Sequence, residues 1–159
     1  MRKLYPILLS GILLVSCKKI VQNQEQKAVI SDVTNGVWYV TGYEKNDSNI
    51  TAAFSGYLFK FDANNTVTGI IDNDSVQGEW LVNINARTIT SDFPGAGYPL
   101  NQLNETWYVD DSYTDSVSAQ CTDTVDNSTN YLQLKKQQSN ILTKAIQSPI
   151  QLAVSRLTG

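Results

Sequence analysis

A chain of 159 residues is long enough for one domain with a sizeable core and too short for two. Eight Tyr, three Trp and abundant Thr, Ser, Asn and Val give the composition of a β-rich secreted protein, and the absence of histidine removes the commonest general base and metal ligand at once. The formal net charge of -3 hides an acidic body: residues 28–134 carry fourteen acidic side chains against Lys45, Lys60 and Arg87, a balance that argues against nucleic acid as a partner.

Met1-Arg2-Lys3 is a positive start, followed by an apolar run from Leu4 to Val15 broken only by Pro6, Ser10 and Gly11. Such a run is too short to span a bilayer and fits a secretory signal. It ends in Leu14-Val15-Ser16-Cys17, which resembles the lipobox of bacterial lipoproteins over the whole of residues 1–17. The resemblance implies cleavage before Cys17 and diacylglycerol on its thiol, hence a membrane partner reached through that lipid. Two or three acyl chains anchor stably, since each buried CH2 adds ~0.8 kcal/mol. Residues 18–34 are rich in Gln, Lys and Asn and read as a flexible tether. Lys18 and Lys19 stand where the surface-export signal of Bacteroidetes-type lipoproteins has acidic residues, so an outer-membrane anchor is expected with its facing open.

The body, residues 35–136, reads as strands. Gly36 to Tyr43 opens it, with Trp38 and Val40 on one face. After a polar loop, Tyr57, Phe59 and Phe61 alternate with Leu58, Lys60 and Asp62, the period-two pattern of a half-buried strand. Asn64-Asn65 tolerates positive φ and reverses the chain into Thr66 to Ile71. A turn at Asp72-Asn73-Asp74 leads to a strand from Val76 to Ile84, in which Trp80, Val82 and Ile84 share a face. Arg87 to Phe93 follows, then a break at Pro94-Gly95-Ala96-Gly97-Tyr98-Pro99. Glu105 to Asp110, Val117 to Thr122 and Tyr131 to Lys135 complete about eight short strands, a pattern that predicts an all-β antiparallel barrel or sandwich. In residues 137–159, Ile141, Leu142, Ala145 and Ile146, then Ile150, Ala153, Val154 and Leu157, recur at helical spacing, which fits either a helical or a loose tail.

Gly36-x-Trp38, Phe54-x-Gly56-Tyr57-x-Phe59-x-Phe61, Gly78-x-Trp80 and Pro99-Leu100-x-x-Leu103-Asn104-x-x-Trp107, in that order behind a lipobox, resemble the lipocalin-like domain of Bacteroidetes lipoproteins. The resemblance implies an up-and-down barrel at the cell envelope. Lipocalins proper lay an arginine from a late strand across the first tryptophan; the body's sole arginine, Arg87, lies mid-chain and departs from that pattern.

The chemistry in the chain is sparse. Trp38, Tyr57, Phe59, Phe61, Trp80 and Trp107 are the candidate ligand-binding residues of a barrel interior. They are also the side chains that would fill such a barrel solid. The acidic stretch Asp110 to Asp115 reads as a solvated surface; Asp72-Asn73-Asp74 begins like a calcium loop, but Val76 and Gln77 stand where an oxygen ligand and a glycine belong, so no metal is expected. With no histidine to activate a serine or Cys121, and no carboxylate pair in a cleft-like context, no catalytic residue and no cofactor are expected. Two readings remain: a non-enzymatic envelope lipoprotein holding a small apolar or amphipathic ligand, or a packed module acting through its outer surface.

Overall fold

The computed structural model describes residues 13–123 and 127–138, with side chains from residue 24 onward. Most of the signal region and of the 137–159 tail therefore lies outside the described residues. The element order is helix α1 (Leu13–Thr34), β1 (Trp38–Lys45), β2 (Ser48–Asn49), a 3-10 turn (Thr51–Phe54), β3 (Leu58–Phe61), β4 (Thr66–Ile71), β5 (Asp74–Asn83), β6 (Thr88–Asp92), a second 3-10 turn (Leu100–Leu103), β7 (Glu105–Ser112), β8 (Ser116–Thr122) and β9 (Thr129–Lys136).

Every strand pairs antiparallel with its neighbours, and β9 returns to β1 from Trp38↔Lys136 to Glu44↔Tyr131, closing the sheet. Eight strands make the barrel, and the two-residue β2 adds a hairpin at the end of β1. Closure leaves no free edge along most of the circuit. The weakest seam lies between β1 and β3, which share the single pair Trp38↔Phe59.

The alternation read in the sequence is the alternation of burial. Phe59 and Phe61 are buried while Lys60 is exposed, and Trp80 is buried between exposed Glu79 and Leu81. Asn65 turns with φ 69, Asp72 with φ 50 and Arg87 with φ 54, the left-handed conformations the three hairpins need. Asp72-Asn73-Asp74 is thus a hairpin turn between β4 and β5. Phe59, Phe61, Val67, Trp80, Phe93, Trp107, Ala119 and Leu132 form the heart of the core.

The tether expected over residues 18–34 is corrected: the chain is helical there, and its last turns dock on the barrel. The Gln and Lys read as polar linker are also good helix formers, as are the Glu25 and Ala28 among them. Val29, Ile30 and Val33 give the helix a short apolar stripe, and that stripe covers one end of the barrel. The helix C-terminus is tied down by the barrel itself. Trp38 Nε1–H donates to Val33 O at 2.8 Å and Lys136 Nζ to Asp32 O at 3.0 Å, while Thr34 Oγ1 donates to Ile30 O at 2.8 Å. The first two bonds satisfy carbonyls that a helix end leaves without partners. Among the described residues no helix is long and apolar enough to cross a membrane.

Candidate functional site

The barrel has two differently built ends. At the helix end, where β1 starts and β9 finishes, α1 lies over the mouth. At the loop end, the two 3-10 turns fold inward and bury Phe54, Phe93, Leu100 and Leu103. Polar contacts hold that seal: Tyr43 Oη–H donates to Gln102 O at 2.6 Å, Phe93 N–H to Asn104 Oδ1 at 2.7 Å, and Ser91 Oγ–H to Leu103 O at 2.5 Å.

Between the ends is a void of about 50 Å³. Eleven of its twelve lining residues are hydrophobic, among them Phe59, Phe61, Val67, Trp107 and Leu132. The exception is Ser91, whose hydroxyl is already engaged. An apolar void of this kind stays dry, and a comparable one that holds benzene is about three times as large, ~150 Å³. The lumen as it stands is nearly full.

Of the six aromatic residues singled out in the sequence, Phe59, Phe61 and Trp107 face this void. Trp80 is fully buried beside it, its edge on Phe61 at 5.3 Å between centroids and its Nε1–H on Asp62 O at 2.9 Å. Trp38 is buried at the helix end. Tyr57 sits elsewhere: half-buried and stacked on Phe59, it faces a groove of about 670 Å³ beside the β1–β3 seam, along with Tyr39, Leu58 and Lys135. The alternation fails at Tyr57 because its N–H turns back to Phe54 O, so the strand begins only at Leu58.

Sequence reasoning missed Lys136. Its Nζ stands 4.9 Å from the centre of the Trp38 ring while donating to the helix carbonyl. A cation from the last strand thus does lie over the first tryptophan, and it is a lysine, not an arginine. Arg87 instead lies over Tyr108, 5.4 Å from the ring centre, with Nη2 donating to Asp110 O at 3.0 Å. The signal was present as a basic residue closing the last strand. Gly36 faces the same lysine: its φ of +127 and the 2.9 Å from an added Cβ to Lys136 Cδ explain the glycine of Gly36-x-Trp38.

Two buried acids lie near the loop end. Burial pushes the Tyr43 phenol well above its ordinary value, helped by Cys121 once its thiol ionises at high pH and by the carboxylates of Glu105 and Asp123. Burial likewise raises the Cys121 thiol, against the hydrogen bond that Asn130 Nδ2 donates to its Sγ at 3.7 Å. The thiol is therefore held protonated, the unreactive form. Both groups keep their protons in the fold after the unfolded chain has lost them. Stability is then complete below the unfolded values, ~8.5 for Cys and ~10 for Tyr, and falls as pH rises beyond them. The urea midpoint is expected to drop steadily from pH 8 to pH 11, and Cys121→Ala to remove the earliest part of the drop. A flat midpoint across that range would contradict the assignment. Among the described residues, no group of three or more His, Cys, Asp or Glu is placed to hold a metal ion.

Neither a family model nor a curated protein sequence matches the chain. Among solved structures, it is similar to a DUF4847 family protein from Bacteroides vulgatus, at 17% identity over 69% of this chain and 99% of that one, with a TM-score of 0.49.

Proposed function

We propose that this chain is a non-enzymatic envelope lipoprotein, anchored to a bacterial outer membrane through lipid on Cys17, whose lipocalin-like barrel takes a small apolar molecule into its lumen. The observation that carries the ligand reading is the void lining: eleven hydrophobic residues, one satisfied hydroxyl and no charge. Such walls offer dispersion contacts to hydrocarbon and nothing to an ion or a sugar. The packed-module reading draws on a different observation, the smallness of the void, which in this closed form admits no molecule of lipid size. Native mass spectrometry of the chain from residue 18 onward separates them. A reproducible extra mass released by organic solvent supports the ligand; a bare polypeptide mass supports the surface-acting module. The anchor has its own test. Cys17→Ser is expected to move the protein from the membrane pellet to the soluble fraction and remove the acyl mass, and retention in the pellet would count against it.

A further inference from the structure

We infer that the last two turns of α1 are a removable plug, and that an uncharged apolar molecule reaches the lumen at the helix end when they lift away. This rests on the lumen-ligand reading above. Two clefts flank these turns. One, of about 180 Å³, lies under Val29 and Val33 against Val82, Ile84, Val109 and Val117. The other, of about 340 Å³, runs from Asp32 and Val33 past Trp38 to Tyr113. Ile89 and Val117 line both the first cleft and the inner void, so these two side chains stand between lumen and cleft.

The two ends differ in how firmly they are shut. At the loop end Phe93 is 1% exposed, Phe54 2% and Leu100 3%; at the helix end Trp38 is 2% exposed, but the helix that covers it contributes Val33 at 9% and half-buried Val29 and Ile30. Residues 24–28 of the helix are exposed. The plug is held through its carbonyls by two barrel side chains, Trp38 and Lys136, and joins β1 through Asn35 and Gly36, the latter at positive φ. Its apolar contact with the barrel is confined to Val29, Ile30 and Val33, and its polar ties can be replaced by water. Lifting it would free Ile89 and Val117 to turn aside, joining the first cleft to the void and making room for a ring or a short chain, the class that the hydrophobic walls select.

The test uses the chain from residue 18 onward and the apolar fluorophore N-phenyl-1-naphthylamine. The double variant Val29→Asp/Val33→Asp removes the apolar docking of the plug, and it is expected to bind the probe about tenfold tighter than the parent, as when a closed state favoured by that factor is abolished. Adding Ala119→Leu, which fills the void from β8, is expected to cancel the gain. Equal binding in parent and double variant, still cancelled by Ala119→Leu, would keep the lumen site and overturn the plug. No binding in either would overturn the lumen reading itself. A gain that survives Ala119→Leu would place the probe on the exposed rim and overturn both. Loss of the near-UV circular dichroism of the double variant would make α1 part of the core, which also overturns the plug.

Discussion

Gly78→Ala is expected to be the most damaging single-methyl change in the barrel. A Cβ at this position would stand 2.3 Å from the carbonyl oxygen of Asp92 and 2.8 Å from Phe93 Cδ1. The first neighbour is backbone, locked in the β5–β6 ladder by Glu79↔Asp92, so it has little room to give. The second is the ring that seals the loop end, itself packed on Phe59 at 6.2 Å between centroids. Overpacking costs typically ~1–3 kcal/mol when side chains can shift, and here about 3 kcal/mol or more is expected. For a fold of this size that lowers Tm by roughly 10–20 °C. A thermal melt followed by near-UV circular dichroism reads it directly, and a fall of only a degree or two would show that the strands relax around the methyl.

The second large effect is expected at Trp38. Trp38→Ala removes a ring only 2% exposed, the donor to Val33 O and the platform under Lys136 at one stroke. Loss of a buried tryptophan costs ~3–5 kcal/mol, against a total that is typically ~5–15 kcal/mol. Partial variants divide the loss. Trp38→Phe keeps an aromatic ring but drops the hydrogen bond, for about 1 kcal/mol. Lys136→Met keeps the stem and drops the cation, for ~0.5–2 kcal/mol. Urea midpoints of the three variants rank them. A Trp38→Ala loss no larger than that of Trp38→Phe would mean that the ring contributes no packing and that the assignment of Trp38 to the core is wrong.

The strands were legible because each carries its burial in its own residues. Phe59-Lys60-Phe61 and Trp80-Leu81-Val82 state which face is inside, and Asn65 and Asp72 mark reversals that favour their side chains. The glycine of Gly78-x-Trp80 was visible as a motif, but its reason, the carbonyl of Asp92 lying against it, belongs to another strand. The helix was illegible for a related cause. Its stripe of Val29, Ile30 and Val33 is short, and its last carbonyls are satisfied by Trp38 and Lys136, side chains at opposite ends of the barrel sequence. The seal of the loop end escaped because Phe93 and Leu103 belong to a Pro- and Gly-rich connection, whose inward fold is set by Asn104 and Tyr43 and not by any period along the chain. What depends on neighbours distant in sequence does not show as a local pattern.

A helix that runs unbroken from Leu13 to Thr34 is a spacer of fixed length. At 1.5 Å per residue, the stretch from Cys17 to Val29 covers roughly 18 Å. Were Cys17 lipidated as proposed, such a spacer would set how far the Val29–Val33 rim can stand from the bilayer while the plug is docked. An apolar molecule leaving by the helix end, as inferred above, would then emerge within that reach of the lipid.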